Sequence, residues 1–335
     1  MKIFYAITLL SFFTLRLTHE CLGDKEALYL SWPTPNPAFA RGMGYHAFLE
    51  KTGPDKKFSS GAYGCVRNNG NKFHEGVDLS PISNMASGKA SDSIFAAMPG
   101  VVAYINHAPS ASAYGKYIVV EHFNTQPALY SLYGHLESVN QGISVGSKVQ
   151  ASQKIGKMGN TASFRIPLDR SHLHFEIGLR LGGRFQSWYD RQGFKTKNLH
   201  GNFNGYNLVG LDPLLFYAAF KRSSKNFPQA YIDSLIPVAK IRVPSKSPPQ
   251  ILSINPCLAN NFDKSLNYES WTCTFGKYGI PLSFEPSQVT CIKPEILYYD
   301  QNEDQEACRP VLVKRGKDLF LSDILNTYLE ILFVE

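Results

Sequence analysis

The amino-acid sequence predicts a β-rich fold of antiparallel sheet, and two observations carry that expectation. The first is composition: 18 Tyr and 22 Phe stand beside 26 Gly and 20 Pro. Aromatic side chains favour strands, and Gly and Pro favour the turns that join them. The second is a recurrence of short runs of strand length, separated by glycines. Examples are Gly100-Val101-Val102-Ala103-Tyr104-Ile105, Lys116-Tyr117-Ile118-Val119-Val120 and Ala128-Leu129-Tyr130-Ser131-Leu132-Tyr133.

At 335 residues the chain has room for two domains. Hydrophobic residues make up 44% and charged residues 18%, which suits a sizeable core and excludes a disordered chain. The net charge is +7 and the pI about 8.9, yet no run of Lys or Arg exceeds two residues. Basicity spread this thinly fits attraction to an anionic surface such as a cell wall. Nucleic-acid binding concentrates its charge, so no nucleic-acid partner is expected.

The elements follow in order. Lys2 precedes an apolar run over residues 3–15, closed by Arg16. This is the length of a signal-peptide core and too short to span a bilayer comfortably. Residues 1–23 therefore read as an export signal cleaved after Gly23, with no stable membrane span afterwards. An uncleaved anchor and a lipid-modified Cys21 are the alternatives, the latter opposed by the bulky polar Thr18, His19 and Glu20. Residues 24–59 open on Trp32-Pro33-Thr34-Pro35-Asn36-Pro37, an extended lead-in expected to pack along the next domain. Residues 60–220 hold the strand-like runs. Residues 221–250, with Pro228, Pro237, Pro244, Pro248 and Pro249, read as an extended connector. Residues 251–335 form a small β-rich module with one helix candidate over 322–332, started by a Ser-Asp cap.

Export makes the cysteines legible. Cys257, Cys273, Cys291 and Cys308 crowd into the last 80 or so residues, and in an oxidising compartment they read as two disulfides of open connectivity. Cys65 is left over, beside Gly64, and reads as a small buried residue rather than a nucleophile. The absence of any C-x-x-C pair excludes a zinc finger.

Three segments carry chemistry. They are Phe73-His74-Glu75-Gly76-Val77-Asp78-Leu79, Tyr133-Gly134-His135-Leu136 and Ser171-His172-Leu173-His174-Phe175-Glu176-Ile177. Side chains alternate along a strand, so Leu173, Phe175 and Ile177 point to the core while His172, His174 and Glu176 point the other way. Two imidazoles on one face are hard to explain by packing alone. Imidazole nitrogen and carboxylate oxygen are both good zinc donors. His74, Asp78 and His174 give three protein ligands and leave one position open, which distinguishes a catalytic zinc from a structural one. A water in that position becomes a nucleophile at neutral pH, and the site implies metal-assisted hydrolysis with one Zn2+ per chain. His19, His46, His107, His122 and His200 have no such setting and read as ordinary structural or surface histidines.

Residues 61–213 resemble the LytM/lysostaphin-type metallopeptidases, peptidase family M23. The likeness rests on Gly64-Cys65-Val66-Arg67, the His74–Asp78 segment, Ala97-Met98-Pro99-Gly100-Val101-Val102, and Tyr114-Gly115-Lys116-Tyr117-Ile118-Val119-Val120-Glu121-His122. It continues through Leu132-Tyr133-Gly134-His135-Leu136, Ile155-Gly156-Lys157-Met158-Gly159-Asn160-Thr161, the His172–Glu176 segment and Leu211-Asp212-Pro213. The resemblance implies a β-sheet groove with zinc at its floor, and cleavage of peptide cross-links in bacterial peptidoglycan by a periplasmic or extracellular enzyme. It implies His74, Asp78 and His174 as zinc ligands. It also implies His135 and His172 as the catalytic pair that orients or deprotonates the water and stabilises the oxyanion.

The chain departs from the family between Thr161 and His172, after Asp78 over residues 80–93, and in an insertion over residues 180–207 that carries Trp188. Such loops border the groove in the family, so they bear on which bond is cut. The competing readings are a non-catalytic scaffold or amidase activator of the same fold, and a zinc hydrolase of another cell-wall amide. Retention of all three ligands and both flanking histidines favours an enzyme over the scaffold.

Overall fold

The computed structural model describes residues 28–54, 56–84, 87–305 and 308–335. The export signal expected over residues 1–23, with Cys21, lies outside the described residues. The chain forms a hairpin of β1 (Gly64–Arg67) and β2 (Lys72–His74), followed by β3 (Val77–Leu79). Next come β4 (Ser93–Phe95), β5 (Gly100–Asn106), β6 (Tyr117–His122), β7 (Leu129–Gly134), β8 (Ser138–Val139), β9 (Lys148–Val149) and β10 (Lys154–Lys157). Then follow β11 (Leu173–Arg180), α1 (Phe185–Arg191), β12 (Leu208–Leu211), α2 (Pro213–Arg222) and α3 (Gln229–Asp233). The C-terminal part holds β13 (Pro237–Pro244), β14 (Ser270–Gly276), β15 (Pro281–Ser287), β16 (Glu295–Tyr299), β17 (Leu312–Arg315), β18 (Asp318–Leu321) and α4 (Asp323–Leu332).

The main sheet runs β12-β11-β7-β6-β5-β9, with β3 also paired to β11, and its ladders are antiparallel. The three strand-like runs of the sequence are its β5, β6 and β7. Every residue of β6 and β7 is buried, so the sheet is covered on both faces. Ile118, Val120, Tyr133, Phe175 and Ile177 face the main core. Tyr117, Val119, Tyr130 and Leu132 face a second apolar layer, closed by Leu208, Tyr104, Tyr114 and Phe203. The insertion over residues 180–207 thus contributes a lid to the sheet through Phe203. Its Trp188 turns instead to the C-terminal helix, donating from Nε1 to Glu330 Oε2 at 2.9 Å.

The lead-in packs against α2 and the end of β4, where the Tyr217 hydroxyl donates to the Ser31 carbonyl and the Phe95 amide to the Pro33 carbonyl. Trp32 stacks on Phe39 at 4.5 Å and meets Phe48 and Tyr217 edge-on. The expected helix over 322–332 is α4, capped by the Ser322 hydroxyl, which accepts from the Leu325 amide.

Two expectations fail. Residues 221–250 are not simply an extended connector: they contain α3 and β13, and β13 lies between β14 and β16 in a second sheet, β15-β14-β13-β16. Its prolines sit at the first and last positions, where a strand tolerates a missing N–H, and Val238, Ala239, Ile241 and Val243 between them are buried. The main core continues from the first sheet into this one through Val238, Ile241, Trp271 and Phe284.

The cysteines also pair differently. Cys65 bonds to Cys308, with Cα atoms 5.8 Å apart, and among the described residues neither Cys273 nor Cys291 is in a disulfide. Cys273 is committed to the second sheet, opposite Ile241 and Phe284, where it behaves as a small core residue. Proximity in sequence misled because the C-terminal segment returns to the β1–β2 hairpin.

Candidate metal centre

The hairpin, β3 and β11 bring the three expected donors together. Asp78 on β3 and His174 on β11 are direct cross-strand partners. His74 ends β2 and reaches the same point across a two-residue turn, Glu75-Gly76. Gly76 is required there: a Cβ at this position would lie 2.2 Å from the Phe175 carbonyl oxygen. His74 Nε2, Asp78 Oδ1 and His174 Nδ1 lie 3.0–3.2 Å from one another. A tetrahedral zinc with bonds of ~2.0–2.1 Å places its donors ~3.3 Å apart, so this triangle has the size of one face of a zinc tetrahedron.

The protonation chemistry fits a cation equally well. His74 Nδ1 lies 2.7 Å from the Ala62 carbonyl, which can only accept, so Nδ1 donates and Nε2 keeps its lone pair. Burial lowers the His74 pKa, with Asp78 opposing, and keeps the ring neutral. His174 Nε2 donates to Glu176 Oε1 at 2.9 Å, turning Nδ1 towards Asp78. Although burial opposes charge on His174, hydrogen bonds to Asp78 and Glu176 push its pKa up to about 9. Asp78 is fully buried, and although burial opposes its charge, His74, Arg67 and His172 hold its carboxyl well below the usual range. The pocket therefore calls for positive charge between these three atoms, and a metal at Nδ1 replaces the proton there.

The two flanking histidines are in place. His135 follows β7 with φ 58°, the left-handed region, which turns its side chain off the strand and into the pocket. Its Nδ1 donates to the Thr161 carbonyl at 2.8 Å. His172 Nδ1 donates to the Arg170 carbonyl at 2.7 Å, and its Nε2 lies 3.6 Å from Asp78 Oδ1. The rings meet edge-on, 4.8 Å between centroids. Burial lowers both pKa values, that of His135 further because His172 and His174 stand beside it. Both rings are neutral at pH 7, with Nε2 free of a proton.

Sequence reasoning assigned no role to three neighbours. Glu176 fixes the tautomer of His174 and is itself held by the Tyr130 hydroxyl, which donates to Oε2 at 2.8 Å. The strand alternation already placed Glu176 on the histidine face. Tyr114 packs on His174 at 5.2 Å between ring centroids. Arg67 reaches two of the three donor residues: its Nη2 donates to Asp78 Oδ2 and lies 2.8 Å from His74 Nε2. No signal in the sequence announces that. The pairing of β1 with β2 shifts register between Cys65 and Arg67, and such a bulge re-aims a side chain. Of the histidines given no site role, His19 lies outside the described residues, His122 is buried and bonded to the Pro99 carbonyl and Ser131, and His200 lies against Tyr104 and the Ala111 carbonyl.

Residues 72–186, which hold the donor triangle and both flanking histidines, match the profile of peptidase family M23. This segment is an M23 peptidase-family domain. Among solved structures the chain is similar to the catalytic domain of EnpA, a prophage-encoded M23 protein of Enterococcus faecalis. That match has 21% identity over 39% of this chain and 79% of the other, with TM-score 0.28. It is similar also to the catalytic domain of the antimicrobial peptidase lysostaphin from Staphylococcus simulans (23% identity, 47% of this chain and 87% of the other, TM-score 0.28). A zinc-containing peptidase from Vibrio cholerae matches at 26% identity over 39% of this chain and 31% of the other, with TM-score 0.25. No curated protein matches. No helix among the described residues is long and apolar enough to cross a membrane.

Proposed function

We propose that this chain is an exported zinc endopeptidase, periplasmic or extracellular, that hydrolyses peptide cross-links of bacterial peptidoglycan. The observation that carries the reading is the convergence of His74 Nε2, Asp78 Oδ1 and His174 Nδ1 on one point, with His135 and His172 beside it. A bound zinc supplies Lewis acidity and lowers the pKa of water. The rest is the work of this chain's residues. Glu176 holds His174 with Nδ1 inward, and the Ala62 carbonyl holds His74 with Nε2 inward.

His135 and His172, each anchored through Nδ1 to a backbone carbonyl, present unprotonated Nε2 atoms to the pocket. One accepts the proton of the attacking water and returns it to the leaving amine, and the other, carrying a proton taken up from solvent at Nε2, would hold the developing oxyanion by a hydrogen bond and keep that proton as the tetrahedral intermediate collapses. Peptidoglycan as substrate is supported by the M23 family of the domain and by a diffuse net charge of +7, which suits an anionic wall.

The test is incubation of purified protein with peptidoglycan, with and without a chelator, and mass analysis of the released muropeptides. Loss of cross-linked dimers with matching new peptide ends is expected, and only in the absence of chelator. Purified protein without zinc, or undiminished activity in His174→Ala, overturns the proposal. Release of free peptide from glycan would move the cut to the other amide.

A further inference from the structure

Arg67 brings a permanent cation to the edge of the donor triangle. Its Nη2 donates to Asp78 Oδ2 and stands 2.8 Å from His74 Nε2, while its Nε reaches the Ser60 carbonyl at 3.4 Å. His74 donates its Nδ1–H to the Ala62 carbonyl, so the neutral ring carries its one available lone pair on Nε2. That lone pair can accept an N–H from Arg67 or bind a metal, and it cannot do both. Charge points the same way. A guanidinium is permanently cationic, and the buried Asp78 carboxylate that draws it in would equally draw a divalent ion.

We infer that Arg67 is an internal cation of the metal pocket, which zinc must displace from His74 in order to bind, so that Arg67 sets the pocket's affinity for its metal. The inference rests on reading His74, Asp78 and His174 as zinc donors. Two features make displacement feasible. Asp78 Oδ1, His74 and His174 define the triangle, whereas Arg67 holds Asp78 through the other oxygen, Oδ2, so it has to release only His74. Its side chain is also 22% exposed, giving the guanidinium a path to solvent, while the Asp78 side chain has none. In the metal-free protein the same contact compensates the Asp78 charge. Arg67 thus supports the apo pocket and opposes its loading.

The experiment compares the full-length protein with Arg67→Met, which removes the charge but keeps an apolar stem, and with Arg67→Gln, which keeps a neutral N–H donor. Zinc affinity is measured by competition with a chromogenic chelator, and melting is followed with and without zinc. Losing a charge-assisted competitor should tighten zinc binding roughly ten- to hundredfold in both variants. The metal-free variants should melt below the parent, and saturating zinc should close most of that gap. Should one variant fail to fold without metal, the other carries the comparison. Zinc affinity equal to or weaker than the parent's in the folded variants overturns the role given to Arg67 and leaves the zinc reading intact. Failure of the parent and both variants to bind one zinc per chain would sink the zinc reading itself, and this inference with it.

Discussion

Glu176 offers the sharpest test of the proposed metal pocket. The side chain is 1% exposed and uses both carboxylate oxygens, one accepting from His174 Nε2 at 2.9 Å and one from the Tyr130 hydroxyl at 2.8 Å. Glu176→Gln preserves shape and both contacts: the amide oxygen can still accept from His174, and the amide nitrogen can donate to the Tyr130 oxygen. What goes is the charge. A hydrogen bond to a charged group is worth ~1.5–3 kcal/mol against ~0.5–1.5 for a neutral one, so the His174 contact weakens by about 1–1.5 kcal/mol. His174 then becomes a less basic ligand, and zinc affinity should fall about tenfold, the lower end of what such outer partners contribute. Glu176→Ala should be worse and should also lower thermal stability, because it leaves two buried donors without an acceptor. The assay is chelator competition at fixed pH. A Glu176→Gln affinity within about twofold of the parent would refute the reasoning, since the charge would then not reach the metal through His174.

Two further outcomes are expected. His122 is fully buried, and burial depresses its pKa from 6.5 to about 4. Between these values the unfolded chain binds a proton that the fold excludes, so stability is complete above pH 6.5 and falls as pH drops towards 4. At ~1.4 kcal/mol per pH unit the loss is about 3 kcal/mol, and urea unfolding of His122→Gln should show an acid limb flatter by that amount. Gly76→Ala would drive a Cβ to 2.2 Å from the Phe175 carbonyl oxygen and 2.8 Å from Glu176 Cγ. Overpacking of this kind costs ~1–3 kcal/mol, and because it separates β3 from β11 the variant should melt lower and bind zinc at least tenfold more weakly. Unchanged zinc binding would show that the β3–β11 register does not set the donor triangle.

Much of this was legible in the sequence because it is local. Strand alternation predicted that His172, His174 and Glu176 share a face opposite Leu173, Phe175 and Ile177, and burial of those three in the main core agrees. The runs at 100–105, 116–120 and 128–133 became strands for the same reason. Features that depend on distant parts of the chain were not legible. The partner of Cys65 lies 243 residues away, and no local pattern encodes such a return. Arg67 enters the pocket because a register shift turns it there, which depends on how two strands pair. The prolines at 237 and 244 read as a break, although each occupies a strand end; the alternation of Ala239, Lys240, Ile241, Arg242 and Val243 between them was the better guide.

The bond between Cys65 and Cys308 has a consequence for the chain as a covalent object. It closes a ring that takes in the main sheet, the β15-β14-β13-β16 sheet, the donor triangle and the flanking histidines, and among the described elements it leaves outside the lead-in, β17, β18 and α4. Under the proposed export, the chain would meet proteases at its surface loops. One cut anywhere within the ring opens it without releasing a fragment, so the two pieces remain a single molecule until a reductant separates them.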